Sequence, residues 1–214
     1  MTRVLLTGFE PFDGESANPS WQAVRAAAAE PPAGLEIFTA ELPCVYGVAR
    51  EALRDAIEEA RPEIVVCVGQ AGGRPDITVE RLAVNVDDAR IPDVSGAQPV
   101  DEVIVPGGPA AYFSTLPIKA CVAAVRAVGL PASVSNTAGT FVCNHVFYAL
   151  AHLIATELPD IRGGFVHVPF APEQVLRRVQ PSLPVVSVAQ ALREIAVTAA
   201  TVRTDIRVAE GATH

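Results

Sequence analysis

Short continuous apolar runs alternate along this chain with longer stretches in which apolar residues recur every three or four positions. Runs of the first kind suit strands buried on both faces, and stretches of the second kind suit helices with one apolar side. Arg3 to Thr7 predicts a first strand. Asn18-Pro19 reads as an N-cap followed by proline at the first helical position, so a helix runs through Trp21 and Val24 and stops before Pro31-Pro32. A strand follows at Leu35 to Ala40, and then a helix from Val48 to Ala60 with Ala49, Leu53, Ala56, Ile57 and Ala60 on one side. The β-branched run Ile64 to Val68 suits a central strand. Asp76 to Pro109 alternates less regularly and carries several prolines and glycines, which predicts a hairpin and loops. Beyond it the pattern predicts a helix at Leu116 to Val128, a strand at Ala132 to Ser135, a long helix at Phe141 to Leu158 and a strand at Gly164 to Val168. A last amphipathic helix spans about Val188 to Val202, and a loose tail follows Asp205.

Strands and helices in alternation predict an α/β fold, with helices on both faces of a largely parallel sheet. With 214 residues the chain buries roughly 70% of its unfolded surface, enough for one domain with one sizeable core. No internal repeat or linker divides it. The net charge of −8, with a single lysine and scattered arginines, disfavours nucleic acid as a partner. No apolar run approaches the roughly 18 residues of a membrane span, and Val4, Leu5 and Leu6 are too few for a signal segment, so the expected location is cytoplasmic. Cys44, Cys67, Cys121 and Cys143 are widely spaced with no CxxC pair. Neither a zinc site nor a disulfide scaffold is expected from them, and in a reducing compartment they are free thiols.

Chemistry concentrates around Cys143. The turn Asn136-Thr137-Ala138-Gly139-Thr140 joins a strand to a helix, and with Thr140 as the cap Cys143 is the third helical residue. There the unpaired backbone N–H groups and the positive end of the helix dipole favour a thiolate and a nearby oxyanion. Free cysteines are also among the most buried residue types, so the local pattern alone favours a structural thiol. Of four histidines, His145 stands two residues from Cys143 and points away from it, His152 lies further along the helix, and His214 ends a polar tail. His167 is the best candidate base, because it sits at the carboxyl end of a strand where open α/β sheets place ligands, although a core histidine fits equally well. Strict alternation puts Glu80 on the face of Leu82 and Val84, where an ionised carboxylate needs a partner. Besides an orienting role beside the histidine, a bulge or a structural pair with Arg81 or Arg90 explains it, and the pattern alone favours these. Gly69-Gln70-Ala71-Gly72-Gly73 and Gly107-Gly108 match no phosphate-binding fingerprint and read as ordinary turns.

Four segments carry a strong resemblance to one family: Thr7 to Trp21 (TGFEPFDGESANPSW), Gly69 to Asp93 (GQAGGRPDITVERLAVNVDDARIPD), Ser135 to Tyr148 (SNTAGTFVCNHVFY) and Gly164 to Gln174 (GFVHVPFAPEQ). With them the chain resembles the pyroglutamyl peptidase I family of cysteine peptidases, which remove an N-terminal pyroglutamyl residue from peptides. The resemblance implies a single-domain, three-layer α/β/α sandwich with a mostly parallel, mixed central sheet, a homotetramer, and no metal or cofactor. It implies Cys143 as nucleophile, His167 as general base and acid, and Glu80 as the group that orients His167. It further implies that Phe9 and Phe12 pack on the pyroglutamyl ring with Asn18 supporting their loop, and that Gln70 contacts the lactam. By the same resemblance Phe141 and Val142 are expected to line the pocket and Arg90 to lie near the oxyanion. At Cys44 relatives carry other small residues, so the pocket wall is expected to differ there. Two readings of other classes stand beside this one: a binding or scaffold protein that keeps the fold without turnover, and a nucleoside phosphorylase-like transferase.

Overall fold

The computed structural model describes residues 1–211, so His214 lies outside the described residues. In chain order the elements are β1 (Thr2–Phe9), α1 (Pro19–Ala29), β2 (Leu35–Leu42), α2 (Val48–Ala60), β3 (Ile64–Gln70), β4 (Ile77–Glu80) and β5 (Leu82–Val84). They continue with β6 (Ala111–Phe113), α3 (Ile118–Ala127), β7 (Ala132–Ser135), α4 (Val142–Thr156), β8 (Arg162–Val168) and α5 (Val185–Thr201). A short 3-10 turn at Pro172–Val175 follows β8.

The main sheet has the order β2-β1-β3-β8-β4-β7. Its pairings are parallel except at β4, which runs antiparallel to β8 and parallel to β7. Alternation within each strand divides the core into two layers. Val4, Leu6, Val66 and Val68 face α1, α3 and α5, whereas Leu5, Val65, Cys67 and Phe165 face α2 and α4. The result is an α/β/α sandwich whose central strands are apolar on both sides because helices cover both. Gly8 lets α1 lie against β1, since a Cβ there would fall 2.5 Å from the Trp21 Cα.

The region from Asp76 to Pro109 departs from the hairpin expected of it. Its first strand, β4, enters the main sheet, and β5 pairs instead with β6, beyond the region, as a separate two-stranded sheet. β5 is three residues long and irregular sequence separates it from its partner, so no local turn signal marks the pairing. The last helix also begins earlier than its periodicity suggested, at Val185. As far as Glu210 the segment after α5 is held rather than loose. The Asp205 carboxylate accepts the Lys119 and Ala120 amides at 3.0 and 2.9 Å, capping α3, whose own N-cap, Pro117, makes no side-chain cap. Glu210 pairs with Arg126 at 2.6 Å.

Candidate active site

The N-terminus of α4 meets the carboxyl ends of β1, β3 and β8 at one cavity of about 280 Å³. Its walls include Cys143, His167, Phe9, Phe12, Asn18, Gln70, Arg90 and Phe141, which the sequence had placed in four separate segments. Arg74, Cys44 and Ile91 also line it. Val142, expected on the wall, is instead fully buried in the core between α4 and the sheet. At the first position of the helix its side chain turns inward, while that of its neighbour Cys143 reaches the cavity.

Phe141, not Thr140, is the N-cap of α4, so Cys143 is the second helical residue rather than the third. The Thr140 hydroxyl donates to the Asp88 carbonyl at 2.7 Å and is thereby taken from the helix end. The first helical bond runs from the His145 amide to the Phe141 carbonyl, which leaves the amides of Val142, Cys143 and Asn144 without intrahelical acceptors. Below this turn, the Asn144 side chain accepts from the Val84 amide at 3.0 Å and donates to the Val84 and Val86 carbonyls. His145 faces away from Cys143, as its spacing requires. Its Nε2 accepts the Gly47 amide, and its Nδ1 lies 2.7 Å from Asp87. A backbone N–H can only donate, so the proton sits on Nδ1 and points at Asp87.

Cys143 Sγ lies over the sheet at Gly69. A Cβ at that position would fall 2.7 Å from Sγ, so only glycine leaves the thiol its place. Gly69 is the register partner of His167 across β3 and β8, which sets thiol and imidazole beside one another on the α4 face of the sheet. On the other side of His167 stands β4, with Thr78 opposite it. Glu80, two residues on, points to the same face and receives His167 Nδ1 on Oε1 at 2.8 Å.

Glu80 is fully buried. Its cationic partner is Arg74 rather than Arg81 or Arg90. Arg74 donates from Nη1 to Glu80 Oε1 and to Thr78 Oγ1, each at 2.6 Å, and from Nη2 to the Thr137 carbonyl at 3.0 Å. Arg81 instead bonds Asn136, and β5 leaves for the second sheet directly after it, which ends the alternation that linked Glu80 to Leu82 and Val84. Arg74 was missed in the sequence because it lies in the loop before β4, where no periodicity gives a residue a direction. Asn18 braces its own loop. It donates to the Glu10 carbonyl and accepts from Ser20, whose hydroxyl in turn accepts the Phe9 amide.

The electrostatics follow from burial and pairing. Burial raises the Glu80 carboxyl, but the hydrogen bond from His167 and the Arg74 charge outweigh it and hold the group below its ordinary range. Burial lowers His167, against the pull of Glu80, so the imidazole is neutral at neutral pH. Burial also pushes the Cys143 thiol well above its usual value, with Cys44 and Glu80 adding to the rise and Arg74 opposing it. Cys44, at the cavity wall, is pushed up to about 12 by burial and by Glu10 and Asp93. The site therefore rests as thiol, neutral imidazole and carboxylate. Burial thus opposes the thiolate that the helix terminus favours.

A family model described as pyroglutamyl peptidase matches residues 2–205. The pyrrolidone-carboxylate peptidase of Streptomyces coelicolor is 65% identical over 218 residues, covering all of both chains. That of Cupriavidus necator is 54% identical, again over the whole of both. Among solved structures, pyroglutamyl peptidase I from Bacillus amyloliquefaciens superposes with a TM-score of 0.96 at 50% identity, covering 97% of this chain and 99% of that one. The pyrrolidone carboxyl peptidase from Thermococcus litoralis superposes at 0.94 with 36% identity, covering 98% and 100%.

Proposed function

The chain belongs to the pyroglutamyl peptidase family, and from that premise we propose how its own side chains carry out the reaction. The activity is hydrolysis of the amide bond after an N-terminal pyroglutamyl residue of a peptide. The transferase and scaffold readings fall with the family assignment. One observation carries the proposed assignment of roles: His167, paired at 2.8 Å with the buried Glu80, stands at the wall of the cavity that Cys143 enters.

In this reading Glu80 holds the proton on His167 Nδ1 and leaves Nε2 as the acceptor. His167 takes the Cys143 proton as sulfur attacks the scissile carbonyl; a C–S bond forms and the carbonyl electron pair moves to oxygen. The amides at the start of α4 receive that oxyanion, with Arg90 on the adjoining wall. Collapse breaks the C–N bond, His167 protonates the leaving amine, and a thioester remains. Water, deprotonated by His167, attacks the thioester and returns the thiol and free pyroglutamate.

Specificity follows from the walls. Pyroglutamate is an uncharged lactam without a free α-amine, so its site needs apolar faces and a few directed hydrogen bonds. Phe9, Phe12 and Phe141 supply the faces, with Phe12 and Phe141 6.2 Å apart between ring centroids. Gln70 supplies the polar contact to the lactam. Asn18 acts through the Phe9 loop rather than on substrate.

A homotetramer in the cytoplasm completes the proposal. Val94, Val100, Val103 and Phe113 expose large apolar side chains of the kind a subunit interface covers, and a thiol nucleophile requires a reducing surrounding. The deciding assay is release of a fluorescent amine from a pyroglutamyl amide under reducing conditions, with a prolyl amide as control. Wild type is expected to cleave only the pyroglutamyl substrate and Cys143→Ala neither; turnover by that variant removes Cys143 from the nucleophile's role.

A further inference from the structure

Gln70 ends β3 and lines the cavity, but its amide is not free to choose its orientation. Gln174, in the 3-10 turn after β8, donates from Nε2 to Gln70 Oε1 at 3.1 Å. Gln174 Oε1 in turn accepts the Ala171 backbone amide at 2.9 Å. That backbone N–H can donate and never accept. The Gln174 atom facing Ala171 is therefore its oxygen, and the atom facing Gln70 is its NH2. Gln70 must answer with its own oxygen. Its NH2 is left over, with no hydrogen-bond acceptor among the described residues, on a side chain that borders the substrate cavity.

We infer that Gln174 is a specificity-positioning residue: through a one-way amide relay from the Ala171 N–H it sets Gln70 with its NH2 toward the cavity, as a donor for the lactam carbonyl. The inference rests on the reading of Gln70 as the lactam contact. A ring carbonyl is what a pyroglutamyl residue has and a prolyl residue lacks, whereas both rings carry an N–H, so only the donor orientation of the Gln70 amide reads the difference. With NH2 inward Gln70 matches an acceptor; with oxygen inward it opposes the carbonyl. Gln174 does not border the cavity itself, so its influence passes through Gln70.

The test uses 2-pyrrolidone as a competitive ligand and a pyroglutamyl amide as substrate, with Gln174→Glu, Gln174→Ala and Gln70→Ala beside the wild type. Glutamate at 174 still accepts from Ala171 but offers Gln70 only acceptors, so it turns the Gln70 amide and points oxygen at the lactam. Alanine at 174 releases Gln70 to rotate, and ligand then selects the donor orientation. The expected result is that Gln174→Glu raises the 2-pyrrolidone inhibition constant and KM about tenfold to hundredfold, with kcat changed far less. Gln174→Ala should raise them less than Gln174→Glu. A side chain that merely packs the turn gives the opposite order, the alanine variant being worse, and that order overturns the relay. Unaltered binding in Gln174→Glu, while Gln70→Ala binds weakly, also overturns it. Unaltered binding in Gln70→Ala instead removes Gln70 as the lactam contact, and the relay falls with it.

Discussion

Arg74 and His167 donate to the same carboxylate oxygen, Glu80 Oε1, at 2.6 and 2.8 Å. A buried carboxylate with a neutral imidazole as its sole partner would tend to take up a proton; the guanidinium keeps it ionised and still able to accept from the imidazole. Because Arg74 also holds Thr78 and the Thr137 carbonyl, it ties β4 to the turn that leads into α4. Replacement of Arg74 by Met is expected to lower kcat and to cost about 1–3 kcal/mol of stability, the penalty for a buried polar group that loses a partner. The Glu80 pKa is depressed in the fold, so its stabilisation is present above the ordinary carboxylate value and lost as pH falls through the depressed one. In Arg74→Met that loss should begin at higher pH, which acid unfolding followed by circular dichroism reads directly.

Glu80→Gln retains the size of the side chain but removes the charge that steadies a protonated His167. Turnover should fall by roughly 10²–10⁴-fold while KM stays near the wild-type value. An unchanged kcat would take Glu80 out of the mechanism.

The pH profile carries a sign that follows from burial. Activity requires neutral His167, and its pKa is lowered, so the acid limb of kcat/KM should lie below the ordinary histidine value of 6.5. The Cys143 thiol is raised, so the alkaline limb should lie above 9.0. Alkylation by iodoacetamide gives an independent reading, since only the thiolate reacts. Labelling of Cys143 should be slow at neutral pH and accelerate above pH 9; fast labelling near pH 6 would instead indicate a preformed thiolate–imidazolium pair.

Gly69→Ala places a methyl group where Cys143 Sγ and the Phe165 ring edge now lie, at 2.7 and 2.9 Å. The thiol is the more mobile of the two and should rotate away from His167. A loss of kcat on the order of 10²-fold is expected for a nucleophile displaced by about an ångström. Thermal unfolding checks that the fold survives, and a variant with wild-type kcat would show that the thiol's place above β3 is not critical.

Periodicity and capping chemistry made most of the fold legible in the chain. The alternation of β-branched runs with helical spacing determined the layers, and Asn18-Pro19 marked the start of α1, because such signals act within a few residues. The strand-turn-helix around Cys143 and the strand-end position of His167 were visible for the same reason. What the sequence left undecided is every relation between distant segments. The pairing of β5 with β6, the Asp205 cap on α3, the partner of Glu80 and the direction of the Gln70 amide each join segments whose contact no local pattern encodes. The charge state of Cys143 belongs with them. A helix terminus is a local feature and argues for a thiolate, but desolvation by β3, β8 and the cavity walls is a property of the assembled layers, and it pushes the thiol the other way.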